Sequence, residues 1–237
     1  MDNVKVSSPE RHARSAMVRD TRQPPTPRKT PTQSRSVYTV RALIDACTQV
    51  LLQHGLDRLT TTRVAAQAGV SVGALYQYFP HKTGLLQAAL EHHLSQQVDA
   101  IEAACKASQG GTVDTVVRAL VEAHVDSQLR QADAVRALAG LAAEPEGQAV
   151  LERQSRRLQR AVARALGRLD DLAVHDARLQ AFMLVTALAG PTQALLRRPQ
   201  APGPAERARF KQQLCSLAAA YLRDNGTPRG SAAPPAA

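Results

Sequence analysis

The chain has 237 residues, 44% of them hydrophobic, and 30 lysines and arginines against 20 acidic residues give a formal charge of +10. This length allows one large domain or two small ones with a real core, and the basic balance favours a polyanionic partner. Aromatic residues make up only 3% of the chain and tryptophan is absent, which argues against proteins that read single-stranded nucleic acids by stacking.

Three cysteines stand at positions 47, 105 and 215, an odd number without a Cys-x-x-Cys pair. This spacing argues against a disulfide framework or a zinc module and fits a reducing compartment. Charges or helix breakers interrupt every long apolar run, and the charged, proline-rich N-terminus lacks the apolar centre of a secretory signal. We therefore expect a cytoplasmic protein with no membrane partner.

Residues 1–35 form a basic segment rich in proline, serine and threonine, with eight lysines and arginines and three acids. Four prolines between positions 24 and 31 disfavour a stable helix, so we predict a disordered basic arm. The arm is either a solvated tail, an extension ahead of a true start at Met17, or a flexible contact to DNA phosphates or a minor groove.

From Ser36 onward, apolar residues recur at three- and four-residue steps, which is the pattern of amphipathic helices. Neither strand alternation nor a solenoid repeat is evident, so we predict an all-α fold of about nine helices. The predicted helices cover 36–54, a short stretch after Thr60, 72–78, 82–108, 112–130, 132–143, 146–169, 175–197 and 205–223. Residues 224–237, rich in alanine, proline and glycine, are predicted to form a disordered tail.

The second and third predicted helices have the form of a helix-turn-helix. Thr60 and Ser71 are good N-caps, and Gly69 can adopt the positive φ that a tight turn between steeply crossed helices needs. The third helix stops before Pro80, because a residue that precedes proline resists helical geometry. The N-terminal half of this third helix is expected to enter a major groove.

The run LTTTRVAAQAGVSVGALYQYFPHK, from Leu59 to Lys82, resembles the helix-turn-helix of the TetR/AcrR family of one-component transcriptional regulators. Its motif A-G-V-S-x-G-x-L-Y-x-Y-F-P-x-K is highly specific, and the resemblance covers roughly residues 36–84. It implies a DNA-binding domain over 36–82 and a helical domain for effector binding and dimerisation over 83–223. Two positions depart from the family pattern: Ala74 replaces a frequent Thr or Ser, and His81 replaces a Ser or Asn that would cap the fourth helix.

The resemblance also implies a set of DNA contacts. Thr60, Lys82 and the two tyrosine hydroxyls correspond to phosphate contacts, Val72 or Ala74 could meet a thymine methyl, and Gln77 could bond adenine or a phosphate. The full predicted set is Thr60, Thr61, Ser71, Val72, Gly73, Ala74, Tyr76, Gln77, Tyr78 and Lys82. Thr61 is alternatively an ordinary surface residue, and the ring of Tyr76 alternatively packs while only its hydroxyl reaches DNA. Leu75 and Phe79 are predicted to be core residues.

The predicted helix over 175–197 is apolar on nearly every face, so it must be buried on every face. Packing it with the last helix against the same pair of a second subunit would achieve this, and the resemblance implies such a four-helix dimer interface. Two recognition helices related by a two-fold axis would then read a palindromic operator. The predicted interface residues are Leu184, Leu188, Leu195, Leu214 and Tyr221.

A small-molecule effector, which the resemblance implies, is expected where the middle helices converge, and its binding is expected to shift the fourth helix and release DNA. The candidate pocket residues are His93, Cys105, His124, Phe182 and Met183. Each has a plainer interpretation as a core, rim or interface residue. The scarcity of aromatic residues favours an aliphatic effector.

Two other classes of protein compete with this interpretation. The chain has no HExxH, GxSxG, Walker or GxGxxG motif, and the adjacent His92 and His93 point about 100° apart on a helix, so we predict no enzyme, no metal site and no cofactor. A non-specific nucleic-acid compaction protein would explain the charge but not the ordered run over 71–82. We therefore predict a homodimeric, sequence-specific DNA-binding regulator, most simply a repressor. Activation is the alternative, and no feature of the sequence decides between the two.

Overall fold

The computed structural model describes residues 34–198 and 200–229, with only the backbone given for Ser34 and Arg35. The predicted basic arm, except its last two residues, and the last eight residues of the predicted tail lie outside the described residues. The described part contains nine α-helices and two short strands, which confirms the all-α class. The helices are α1 (Ser34–His54), α2 (Thr61–Gln67), α3 (Val72–Tyr78), α4 (Lys82–Ala107), α5 (Val113–Arg130), α6 (Ala132–Ala143), α7 (Pro145–Leu166), α8 (Ala177–Leu196) and α9 (Pro204–Asp224).

The two strands are an element that the sequence analysis did not predict. Strand β1 (Leu172–Val174) pairs antiparallel with β2 (Gly226–Pro228), so β2 and the residue after it are not part of a disordered tail as predicted for 224–237. The N–H of Arg229 extends the pairing by donating to the carbonyl of Asp171 at 2.9 Å. Three-residue strands are too short for a readable alternation, and their order depends on a partner more than 50 residues away in the chain.

Helix α7 also ends earlier than predicted, at Leu166 instead of 169. The N–H groups of Arg168 and Leu169 donate to carbonyls three residues back, so the chain tightens into a turn after the helix. Leu169 is nevertheless buried, which is why its apolar character continued the helical pattern in the sequence.

The interior is divided into two apolar cores. We call α1, α2, α3 and the N-terminal half of α4 the head, whose core also includes Leu138 of α6 and Val150 of α7. We call the remainder the body, whose core joins the C-terminal end of α4 to α5, the second half of α7, α8 and α9. Helices α4 and α7 contribute to both cores and pack against each other, so they connect the head to the body.

Among the described helices, α8 alone has the length and mean hydropathy of a membrane span. One such helix is weak evidence, because core helices of other proteins have the same composition. One face of α8 is buried in the body core through Ala181, Leu184 and Leu188, whereas the opposite face is exposed.

Candidate nucleic-acid interface and effector cavity

Local hydrogen bonds set the start of both helices in the helix-turn-helix. The Thr60 hydroxyl oxygen accepts from the N–H of Arg63 at 3.2 Å, and the Ser71 hydroxyl oxygen accepts from the N–H of Ala74 at 3.1 Å. Gly69 lies between the two helices with φ +67°, a conformation that other residues rarely adopt. The predicted caps and the predicted turn glycine are therefore confirmed.

The inner side of this motif is packed against the head core. Leu75 is 0% exposed and Phe79 is 2% exposed. Leu59 and Val64 from the preceding segment are buried as well. Both predicted core residues are thus confirmed. Because α3 has only two turns, burial of this face determines which side chains point outward.

The predicted DNA-binding residues fall into two groups by exposure. Thr60, Ser71, Gly73, Gln77 and Lys82 are exposed, and Tyr76 is exposed over 43% of its surface. Thr61, Val72, Ala74 and Tyr78 are half-buried. Val72 and Tyr78 pack against the head core, so these two side chains also support the fold.

A contact between two of the predicted residues was not foreseen. The hydroxyls of Thr61 and Tyr76 lie 3.1 Å apart and share a hydrogen bond. This bond joins the first residue of α2 to the middle of α3, so it holds the exposed tyrosine against the neighbouring helix. Tyr76 is therefore positioned by its hydroxyl and not by ring packing alone.

The cations of the head are on its surface. Arg58, Arg63 and Lys82 are exposed, and Arg63 is oriented by a 2.6 Å bond from its guanidinium to the carbonyl of Arg58. Arg41 forms an ion pair with Asp45 at 3.2 Å, with both side chains half exposed, so this pair contributes little to stability. His81 occupies the N-cap of α4 without a side-chain cap bond, as expected of a poor capping residue.

A cavity of about 490 Å³ lies where α4, α5, α6, α7 and α8 meet. Of the five predicted pocket residues, only His93 lines it. The Gln97 amide donates to Nε2 of His93 at 2.9 Å, and the Gln128 amide donates to Oε1 of Gln97 at 3.2 Å. Burial, with a smaller contribution from His92, lowers the pKa of His93 to about 4, so its ring is neutral and accepts this bond.

The other buried pocket candidates lie elsewhere. Cys105 belongs to the body core, where burial raises its pKa to about 11. His124 is also buried, and burial lowers its pKa to about 4 although a hydrogen bond to the backbone of Leu188 opposes this shift. Neither residue, although predicted for the pocket, lines this cavity.

The apolar residues of helix α8 face other directions than predicted. Phe182 and Met183, predicted for the pocket, are exposed on its outer face. Of the residues predicted for the dimer interface, Leu184, Leu188 and Leu214 are buried in the subunit's own body core. Leu195 is also buried within the subunit. Tyr221 is half-buried against the same core. Neighbouring residues of a helix point about 100° apart, and a helix that is apolar all round does not reveal which face is inward.

The sequence analysis did not predict several residues of the outer apolar face and of the cavity lining. Leu179 and Leu217 are 55% and 50% exposed and extend the outer apolar face of α8 and α9. The spacing of Leu179, Phe182 and Met183, three and four residues apart, was the available signal for a shared face. Arg136, Gln128 and Arg197 line the cavity, and nothing in their local sequence marked them.

Comparison with known proteins agrees with the geometry of the head and the body. Residues 43–89 match the family model described as bacterial regulatory proteins of the tetR family. Residues 112–222 match the model described as a tetracyclin repressor-like C-terminal domain. Together the two models cover the helix-turn-helix and nearly the whole body.

Individual relatives are similar over different lengths. The HTH-type transcriptional regulator BetI of Cronobacter sakazakii is 30% identical over 154 residues, 63% of this chain and 75% of that protein. The nucleoid occlusion factor SlmA of Haemophilus influenzae is 43% identical over 54 residues, 23% of this chain and 25% of that protein. The chain therefore spans only a quarter of the length of the Haemophilus relative.

A solved structure from Mesorhizobium loti, described as a TetR-family transcriptional regulator, has the same fold. It aligns with a TM-score of 0.71 at 19% identity and covers 82% of this chain and 100% of that chain. At this identity the similarity concerns the fold alone.

Proposed function

This chain belongs to the TetR family of transcriptional regulators, and we propose that it is a homodimeric repressor that a small-molecule effector releases from a palindromic operator. The observation that carries the proposal is the outward polar face of α3, opposite the buried Leu75 and Phe79. On this face Gln77 offers an amide for a base edge, and Lys82 offers a cation for a phosphate at the start of α4. As a regulator of this kind, the protein acts in the cytoplasm and without catalysis.

The second part of the proposal is a dimer built on the outer face of α8 and α9. Leu179, Phe182, Met183 and Leu217 are large apolar side chains that the subunit leaves about half exposed. Large apolar side chains left exposed on neighbouring helices are typical of protein interfaces. Its place on the last two helices keeps it away from the helix-turn-helix, so two heads are free to occupy two half-sites.

The third part is the effector site, which we place in the cavity beside His93. The cavity wall includes Leu90 and Leu138, which also belong to the head core. A ligand there contacts the core that supports the helix-turn-helix, so its differential affinity for two head positions changes DNA affinity.

The direct test is a footprint on the DNA that flanks the coding region, with an excess of unrelated competitor DNA. We expect a protected palindrome, and Gln77→Ala is expected to relax specificity at one base position by about 1–3 kcal/mol. Weak, salt-sensitive binding along the whole fragment would instead favour the compaction protein.

The matched pair Lys82→Ala and Lys106→Ala tests the direction in which the head faces DNA. Both lysines are exposed on α4, about 36 Å apart along the helix at 1.5 Å per residue. We expect Lys82→Ala to weaken binding to all sequences and to lower the salt dependence by about one unit per subunit. Lys106→Ala is expected to bind like the parent, and an equal loss in both variants would contradict the proposed DNA face.

A further inference from the structure

The lining of the cavity indicates the chemical class of its ligand, and this inference rests on the proposed effector-responsive function. Its apolar wall is aliphatic and includes Leu90, Leu94, Leu138 and Leu151. Two arginines, Arg136 and Arg197, line it as well, and none of the described residues that line it is acidic. We propose that the cavity binds an aliphatic carboxylate, with its chain against the leucines and its carboxylate on Arg197.

The two arginines differ in their existing partners. Arg136 donates to the carbonyl of Leu196 at 3.2 Å and also pairs with Asp133. Arg197 is exposed and forms no ion pair with any residue that the structure describes. Its neighbour Arg198, which does not line the cavity, pairs with Glu206 at 2.6 Å. Arg197 is therefore the cation at the cavity that is available for a ligand anion.

Other ligand classes lack partners on this lining. A quaternary ammonium is held by aromatic faces or by carboxylates, and the lining, as far as the structure describes the chain, has no Phe, Tyr or acid. A planar polycyclic ligand has no ring but the His93 imidazole to stack on among the described lining residues.

The contacts of Arg136 also explain how a bound ligand affects the head. Arg136 of α6 bonds the last residue of α8, and Leu138, two residues further along α6, is buried in the head core. A carboxylate beside Arg197 competes with the Leu196 carbonyl for Arg136, which weakens this link between α6 and α8. Occupancy is therefore expected to move α6 relative to α8 and to lower operator affinity.

The test is calorimetric titration of the full chain, without DNA, with octanoate, decanoate and dodecanoate below their micelle concentrations. Decan-1-ol and decyltrimethylammonium serve as uncharged and cationic probes of the same chain length. We expect at least one carboxylate to bind about tenfold or more tightly than either control, since a charge-assisted bond is lost in both. No carboxylate binding, or tighter binding of the ammonium, would overturn the proposal.

Arg197→Gln and its neighbour Arg198→Gln form the matched variants. We expect Arg197→Gln to weaken carboxylate binding about tenfold while decan-1-ol binding stays within about twofold, and Arg198→Gln to change neither. Both side chains are exposed, so equal thermal unfolding is the check on folding. Equal carboxylate binding by the two variants would mean that Arg197 does not bind the carboxylate.

A parallel footprint of the parent protein separates the two proposals. A protected operator without any carboxylate binding would contradict the ligand class alone. Carboxylate binding without a protected operator would contradict the repressor function alone. With both present, the bound carboxylate is expected to reduce operator protection, and unchanged protection would contradict the route through Arg136 and α6.

Discussion

The head and the body place their functional side chains by different means. In the head, two seven-residue helices are each started by a side-chain cap and separated by a glycine of positive φ, so spacing along the chain decides which residues face outward. In the body, α8 is apolar on all sides, and packing against α5, α7 and α9 decides which leucines become core. Local chemistry therefore specifies the head, and tertiary contacts specify the surfaces of the body.

The strongest test of this division removes one large side chain from each core. Because both side chains are almost completely buried, Phe79→Ala in the head is expected to cost about 3–5 kcal/mol of unfolding free energy, and Leu184→Ala in the body about 2–5 kcal/mol. We expect Phe79→Ala to lose operator binding but keep the dimer, and Leu184→Ala to weaken the dimer first. Urea unfolding, light scattering and a gel shift measure these effects, and identical losses in both variants would mean that the cores unfold as one unit.

The next largest effect concerns the outer face of the body. Met183→Glu is expected to convert the dimer to a monomer and to lower operator affinity about 100-fold, because two linked heads bind far more tightly than one. Leu52→Glu on α1 is the control, since Leu52 and Met183 are both 45% exposed. Light scattering gives the mass of each variant, and a Met183→Glu dimer would place the interface elsewhere.

Acid is expected to destabilise both regions, through the buried His124 of the body and the buried His93 on the N-terminal half of α4. His124 has a folded pKa of about 4, below its usual 6.5, so the unfolded state binds its proton first as the pH falls. Stability is therefore complete above about pH 6.5 and is lost towards pH 4, by about 1–2 kcal/mol at pH 5 for this residue. His93 has the same direction of shift and adds to the loss.

The pH dependence is measured by urea unfolding at pH 7 and pH 5. His124→Phe is expected to reduce the difference between the two pH values, because the ring no longer takes up a proton. Leu184→Ala, which removes no titratable group, is the control and is expected to lower stability by the same amount at both pH values. A parent protein equally stable at both pH values would contradict the assigned shifts.

The smallest expected loss of stability follows from removing an equivalent helix cap in each region. Ser71→Ala removes the cap of α3, and Thr112→Ala removes the cap of α5, where the Thr112 hydroxyl oxygen accepts from the N–H of Thr115 at 3.4 Å. Each is expected to cost about 1 kcal/mol of stability. Only Ser71→Ala is expected to weaken operator binding as well, and an equal effect of Thr112→Ala in a gel shift would contradict the separation of the two regions.

The accuracy of prediction from the sequence follows the same division. The caps Thr60 and Ser71, the turn at Gly69 and the buried Leu75 were all predictable, because each depends on neighbours within about four residues. The Thr61–Tyr76 bond was not predictable, since it depends on how α2 and α3 cross. His93 lines the cavity that we propose as the effector site, and so does Arg197, which was not predictable because a cation at a helix end has no signature until the opposing helices are in place.

The sequence by itself determined the helix count, the helix bounds to within a few residues and the family motif, because periodicity and capping are properties of short segments. The tertiary structure decided that Phe182 and Met183 face outward while Leu184 and Leu188 face inward, and that residues 226–228 pair with β1. These outcomes depend on which distant element covers each face. A local pattern contains no information on that choice when every face of a helix is apolar, or when a strand is only three residues long.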